Sequence, residues 1–302
     1  MTSSNPRISG HAAVAAVALL ILASAVVWLQ VYRDRHFRAA EAAQQILYVR
    51  SPGAVKRLSL SFDAVVADLY WIRTIQDYGG TRLSKDPDKH YDLLYPMLDL
   101  TTSLDPQFSI AYRFGAFFLS ERAPGGAGRP DLAIALLKKA MAVNPDRWEY
   151  PYDIGFVYYR FGQYEQAADW FRRAAQVPGA TNWLEPLAAV TLAAGGNLEA
   201  SRALWQNLLE NGDQQWLRRT AEHRLQQLDA IDEIQRLQSL TATYETRHGA
   251  PPPTWEDLVL DGALRALPTD PAGHAYVLNP WWGLVSVAPD SPLWPLPTER
   301  AP

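Results

Sequence analysis

Between residues 130 and 213 the chain repeats itself at one fixed interval. Ala133, Ala167 and Ser201 stand 34 residues apart, as do Leu137, Phe171 and Trp205, and Ala140, Ala174 and Leu208. Upstream in each period Gly155 answers to Ala189, Tyr158 to Leu192 and Gly162 to Gly196. Gly115 and Phe118 precede Gly155 and Tyr158 by 40 residues, the six extra falling in the Pro/Gly-rich stretch Ala123 to Pro130. Insertion in a surface loop costs little closure entropy, so the longer spacing keeps the period. In the first two periods small, large and small residues recur at intervals of four and three, and the third keeps the intervals, which mark one face of a helix. A period of this length means a stack of similar helical modules, each burying its apolar face against its neighbours.

The pattern resembles the tetratricopeptide repeat. Trp148 to Thr181 carries it most fully, with Gly155 and Tyr158 in a first helix, Ala167, Phe171 and Ala174 in a second, and Pro178 at the end. The physical logic is packing: small residues let helices approach, and the large residue fills the gap they leave. The resemblance covers Phe108 to Asp213. An earlier, degenerate module is expected over Ser61 to Gln107, because Leu104-Asp105-Pro106 echoes Val143-Asn144-Pro145. The third module departs from the pattern, with Ala189 for glycine and Leu208 for a small residue. The resemblance implies an all-α helical-hairpin solenoid of about four helix pairs at residues 58–248. A helix from Gln214 to about His248 closes the stack, and the family's common task is protein binding.

From Ala12 to Val31 the chain reads AAVAAVALLILASAVVWLQV, without a charge. A helix of that length spans about 30 Å, the thickness of a hydrocarbon core. Trp28 and Tyr32 stand where an interfacial aromatic belt would lie. A secretory signal peptide would need a shorter apolar run. Ala23-Ser24-Ala25 offers a small-x-small site, but Val26 to Val31 stays apolar beyond it. The expectation is an uncleaved single-pass anchor at 12–32, behind a tail at 1–11 and before a juxtamembrane helix and linker at 33–57. Sidedness stays open. Arg33, Arg35, Arg38 and Arg50 after the span, against Arg7 before it, favour a cytoplasmic domain. The short N-terminal tail favours an extracytoplasmic one.

In SFDAVVADLYWIRTIQDYGG, Asp77 lies four residues after Arg73 and can pair with it. The segment reads as a helix packing Leu69, Ile72 and Ile75 inward and stopping at Gly79-Gly80; the alternative is a contact surface near the membrane. It also looks like a block found in uncharacterised bacterial membrane repeat proteins. Asp86-Pro87-Asp88 reads as the start of the next helix. Residues 249–302 are proline-rich, with a short helix capped at Thr254 and a hairpin around Pro280-Trp281-Trp282-Gly283. HGAPPPTWEDLVLDGALRALPTDPAGHAYVLNP is similar to the C-terminal part of type II secretion pseudopilins, whose turn is matched here by Asp270-Pro271-Ala272-Gly273. The prepilin processing site and its glutamate are missing near the anchor.

Composition removes several function classes. A net charge of -4 at pH 7 gives no support for nucleic-acid binding. With no cysteine, thiolate nucleophiles, disulfides and Cys-ligated zinc are excluded. His11, His36, His90, His223, His248 and His274 are scattered, and no His-Glu-x-x-His, phosphate-cradling Gly-x-x-x-x-Gly-Lys or Gly-x-Ser-x-Gly motif occurs. No enzymatic activity, cofactor or metal is therefore expected. In the repeat family the first helices line the concave face. The candidate protein-binding groove here is Tyr112, Glu149, Tyr152, Phe156, Tyr159, Arg160 and Trp183, flanked by Ala116, Leu119 and Val190. Asp153 stands where a basic residue would help, so carboxylate capture is not expected. Filling of the solenoid core is the competing role for these aromatics. The expected function is a membrane-anchored scaffold for protein or peptide partners; the alternative is a part of a bacterial envelope secretion or pilus-type assembly.

Overall fold

A computed structural model describes residues 10–36 and 52–297, which fall into two compact bodies, Met1–Leu58 and Ser59–Pro302. The tail at 1–9, the juxtamembrane continuation at 37–49 and the last five residues lie outside the described ones.

In the first body, α1 runs Gly10–His36 and α2 Pro52–Leu58. The α1 side chains from Val17 to Tyr32 are exposed, and Trp28 stacks on Tyr32 at 5.4 Å. The segment expected to cross a membrane is thus helical. Among the described residues, however, no helix is long and apolar enough to cross one.

The second body is predominantly helical. Four helical hairpins follow one another: α3 (Asp63–Leu83) with α4 (Leu94–Leu104), α5 (Ser109–Ser120) with α6 (Pro130–Val143), α7 (Glu149–Arg160) with α8 (Tyr164–Ala175), and α9 (Leu184–Ala194) with α10 (Leu198–Asn211). The 34-residue correspondences are contacts. A Cβ on Gly155 would stand 2.6 Å from the Phe171 ring and 3.0 Å from the Ala167 carbonyl oxygen, so the small residue of α7 admits the large one of α8. In the next hairpin Ala189 and Trp205 are both buried, and the Ser201 hydroxyl donates to the Ala189 carbonyl at 2.8 Å. Gly162 and Gly196 turn the chain between paired helices at φ +75° and +85°, a left-handed conformation that only glycine adopts without strain.

The last hairpin packs on α11 (Gln215–His248), a single helix of 34 residues closed by left-handed Gly249. Residues beyond it fold back along α11 as α12 (Trp255–Leu260) and an antiparallel pair, β1 (Val277–Leu278) with β2 (Val285–Ser286). One apolar core joins Trp205, Leu217, Ile231, Leu258, Tyr276 and Leu293. Polar ties fix the register. Gln227 donates to the carbonyls of Leu293 (2.7 Å) and Pro295 (3.0 Å), and Thr241 to that of Gly283 (2.8 Å). The Asp270 carboxylate holds the turn expected there, accepting from the Ala272 and His274 amides at 3.0 and 2.8 Å.

Three local expectations are corrected in the first hairpin. Gly79-Gly80 does not stop α3, which continues to Leu83. Two glycines cost a helix only about 2 kcal/mol, and Arg82, one turn on, hydrogen-bonds the Tyr78 hydroxyl at 2.7 Å and pairs with Glu121. The next helix begins at Leu94, not at Asp86-Pro87-Asp88. Leu69, Ile72 and Ile75 point outward, because the opposite face, with Ala67, Trp71, Thr74 and Tyr78, meets the core.

Candidate groove on the first helices

The surface candidates lie on α5, α7 and α9, the first helices of three successive hairpins. Position on α7 follows from the helical period. Tyr150, Ile154 and Val157 are buried, whereas Tyr152, Phe156 and Tyr159 run down an adjoining stripe. Phe156 is 40% and Tyr159 42% exposed, and Tyr152 is half-buried. Trp183, just before α9, is 41% exposed and stands edge-on to Tyr152 at 5.4 Å. Trp148 meets both, at 6.1 Å from Tyr152 and 6.0 Å from Trp183. Tyr152 also stacks along Phe156 at 6.5 Å and leans on Phe171 at 5.6 Å. The result is a continuous aromatic row, Trp148, Tyr152, Phe156 and Trp183, whose rim is open and whose floor is the α8 core.

Tyr112 does not line this groove. It is fully buried, with its ring edge-on to Tyr150 at 6.0 Å and its hydroxyl donating to the Thr102 carbonyl at 3.3 Å. Ala116 and Leu119 are buried beside it. The reason is what each helix meets. The Tyr112 face of α5 is covered by Tyr150, Ile154 and Val157 of α7 and by Leu94 and Leu98 of α4. On the matching face of α7, Tyr152 packs against Phe171 and Trp183, while Phe156 and Tyr159 stand out. On α5 the exposed stripe is instead Ile110, Phe114 and Phe117. Their spacing of four and three was available to sequence reasoning, but Tyr112, Ala116 and Leu119 share it, and α5 is apolar on both sides. Val190, on α9, is half-buried against the last core.

Charge in the groove is paired internally. Arg113 of α5 clamps Asp153 of α7 through two bonds of 2.5 and 3.1 Å. Burial raises the Asp153 carboxyl above its usual range, against the lowering effect of Arg113. The hydrogen bond to Asp153 raises Arg113 in turn. Arg160 lies over the Phe117 ring at 5.1 Å, and its backbone carbonyl accepts from Arg122 at 2.7 Å. One guanidinium nitrogen of Arg160 is buried without a hydrogen-bond partner. Glu149 is half-buried at the start of α7. The rim therefore offers aromatic faces and one under-used guanidinium, while its one buried carboxylate is spoken for. Among the described residues no cluster of His, Asp and Glu is arranged to hold a metal.

Beyond the groove, a hollow of about 280 Å³ lies where α9, α10 and α11 meet, lined by Asn182, Glu185, Asn207, Asn211 and Asp213 over Leu208 and Leu217. No sequence motif marked it.

Residues 126–177 match the tetratricopeptide repeat family. They comprise the end of the long loop, α6, α7 and α8, and so most of the best-patterned period. No curated protein and no solved structure matches the chain.

Proposed function

We propose that this chain is a membrane-anchored scaffold whose helical array holds a protein or peptide segment against the aromatic row of α7 and α9. The carrying observation is the row itself: Trp148, Tyr152, Phe156 and Trp183 in mutual contact, with Phe156 and Trp183 each about two-fifths exposed. Aromatic side chains on a rigid floor are efficient anchors, because they bring large contact area at little entropic cost. The match of residues 126–177 to a repeat family of protein-binding modules supports the same reading. The groove is read as a binding surface, with Arg113 and Asp153 spent on each other and Arg160 left to meet a partner.

Anchoring is carried by the uncharged run Ala12 to Val31, which lies wholly within α1. The array is extracytoplasmic in this reading, with the short N-terminal tail inside. Three measurements test these points. The triple variant Phe156→Ala, Tyr159→Ala, Trp183→Ala should lose the proteins that co-purify with the full chain from solubilised membranes. An unchanged set would remove the groove from consideration. Alkaline extraction should leave the chain with the membrane unless residues 12–31 are deleted. Protease added to sealed vesicles reports sidedness.

The alternative role in an envelope secretion or pilus-type assembly rests on residues 249–302. Residues 249–297 fold back onto α11 as part of the array's end, so deleting them should expose the α11 core before it affects any assembly.

A further inference from the structure

The outer face of α3 is apolar where a solenoid end is ordinarily polar. Val65 (55% exposed), Leu69 (61%) and Ile72 (51%), with Phe62 (66%) at the N-cap just before the helix, form one stripe. It lies half a helical turn from the inward stripe of Ala67, Trp71, Thr74 and Tyr78. The spacing of the outward stripe is three, four, three, which is the a–d alternation of a two-helix seam. Setting Phe62 and Leu69 at a, and Val65 and Ile72 at d, puts Asp68 at g and Arg73 at e. In a parallel, in-register pair each g side chain faces the e side chain five residues on in the other helix. Asp68 and Arg73 are five residues apart.

We infer that two copies of this chain pair in parallel along α3. Asp68 of each meets the partner's Arg73, and Phe62, Val65, Leu69 and Ile72 form the seam. Charge selects the orientation. If the same four layers are turned antiparallel, Asp68 meets its own copy, and like charges across a seam oppose pairing. The remaining flank of the parallel pair brings together no like charges, since its other e and g positions are Ser61, Val66, Ile75 and Gly80. Burial raises the Asp77 carboxyl, and the charge of nearby Arg73 offsets part of that rise, which places Arg73 beside the seam. The number of partners is set by the core: the other face of α3 is occupied, so one helix can be added.

The full chain contains no cysteine, which makes disulfide trapping free of background. Phe62→Cys and Ile72→Cys are placed one at a time in the full chain in detergent and oxidised, with exposed Glu199→Cys as the reference. Parallel pairing puts each new thiol opposite its own copy, so both variants should form linked dimers and the reference should not. Antiparallel pairing displaces like positions at either end of the seam by about 15 Å; it predicts linkage only when the two variants are mixed, and that result would overturn the proposal. Sedimentation of the unmodified chain should give twice the 33.8 kDa chain mass. Leu69→Asp should return it to one chain. Asp68→Arg should weaken the pair, and Asp68→Arg with Arg73→Glu should restore it. Phe62, Asp68, Leu69 and Ile72 are exposed and Arg73 is half-buried, so unchanged helical circular dichroism is expected throughout. A single-chain mass for the unmodified protein, no linkage at either cysteine, or a charge swap that fails to rescue would each overturn the proposal.

Discussion

Replacing Gly155 by alanine places a methyl group where α7 and α8 approach most closely. The new Cβ would lie 2.6 Å from both Phe171 Cδ1 and Cε1, and 3.0 Å from the Ala167 carbonyl oxygen. Neither neighbour can yield easily. Phe171 is 1% exposed and packed among Ala168, Ala188 and Leu192, and the carbonyl belongs to helix backbone. Overpacking of this kind costs about 1–3 kcal/mol. Alanine returns about 0.5–1 kcal/mol in helix propensity. The net loss is about 1–2 kcal/mol, a drop in Tm of about 2–8 °C for a body of this size. Gly79 is the control. It too lies within a helix, α3, but nothing stands within 4 Å of its Cβ position. Gly79→Ala should therefore raise stability by about 0.5–1 kcal/mol, with no steric offset. Thermal unfolding followed by far-ultraviolet circular dichroism gives both signs in one experiment. Gly155→Ala combined with Phe171→Leu should recover part of the loss, because the ring that receives the methyl is gone. A Gly155→Ala protein as stable as its parent would refute the close-approach account of the repeat.

Trp205→Ala should cost about 3–5 kcal/mol, since Trp205 is 2% exposed in the core shared by α10, α11 and the C-terminal module; chemical denaturation reads it. At high pH the chain should weaken through its buried phenols. Burial, then a hydrogen bond to Glu121, raises Tyr78 from 10.0 to about 12, and burial does the same to Tyr112. The unfolded chain thus releases these protons first. Their stabilisation is whole below about pH 10 and is lost as pH rises toward 12, a fall that Tyr78→Phe should make shallower in pH-dependent melts. Gln227→Leu removes the donor to the Leu293 and Pro295 carbonyls, leaving two acceptors unpaired at about 1–3 kcal/mol. Limited proteolysis should then cut residues 249–297 first.

The repeat was legible because its information is local and periodic. Ala167, Phe171 and Ala174 lie on one helical face, and the same residue classes return 34 positions later. Faces were less legible where a helix is apolar all round. On α3, Val65, Leu69 and Ile72 compete with Ala67, Trp71 and Tyr78 for the core, and only the neighbouring hairpin decides between them. On α5 the same ambiguity misplaced Tyr112. The docking of residues 249–297 onto α11 left no periodic trace. Gln227 meets Leu293 across 66 residues, and such a pairing depends on the whole fold rather than on spacing. The glycine pair at 79–80 misled because a propensity penalty was read as a stop, while the Tyr78–Arg82–Glu121 contacts that carry the helix past it span more than forty positions of chain.

The folding back of the C-terminal module along α11 has a topological consequence. A solenoid with two open ends can add copies head to tail without limit, as a fibre. Here α12 and the hairpin cover the α11 core at one end, and the apolar stripe of α3 lies at the other. Association through the α3 end joins like to like and then stops, because a two-fold pair uses the α3 face of both copies. Removing the proline-rich tail would uncover the α11 core and so give each copy a second unburied helix face.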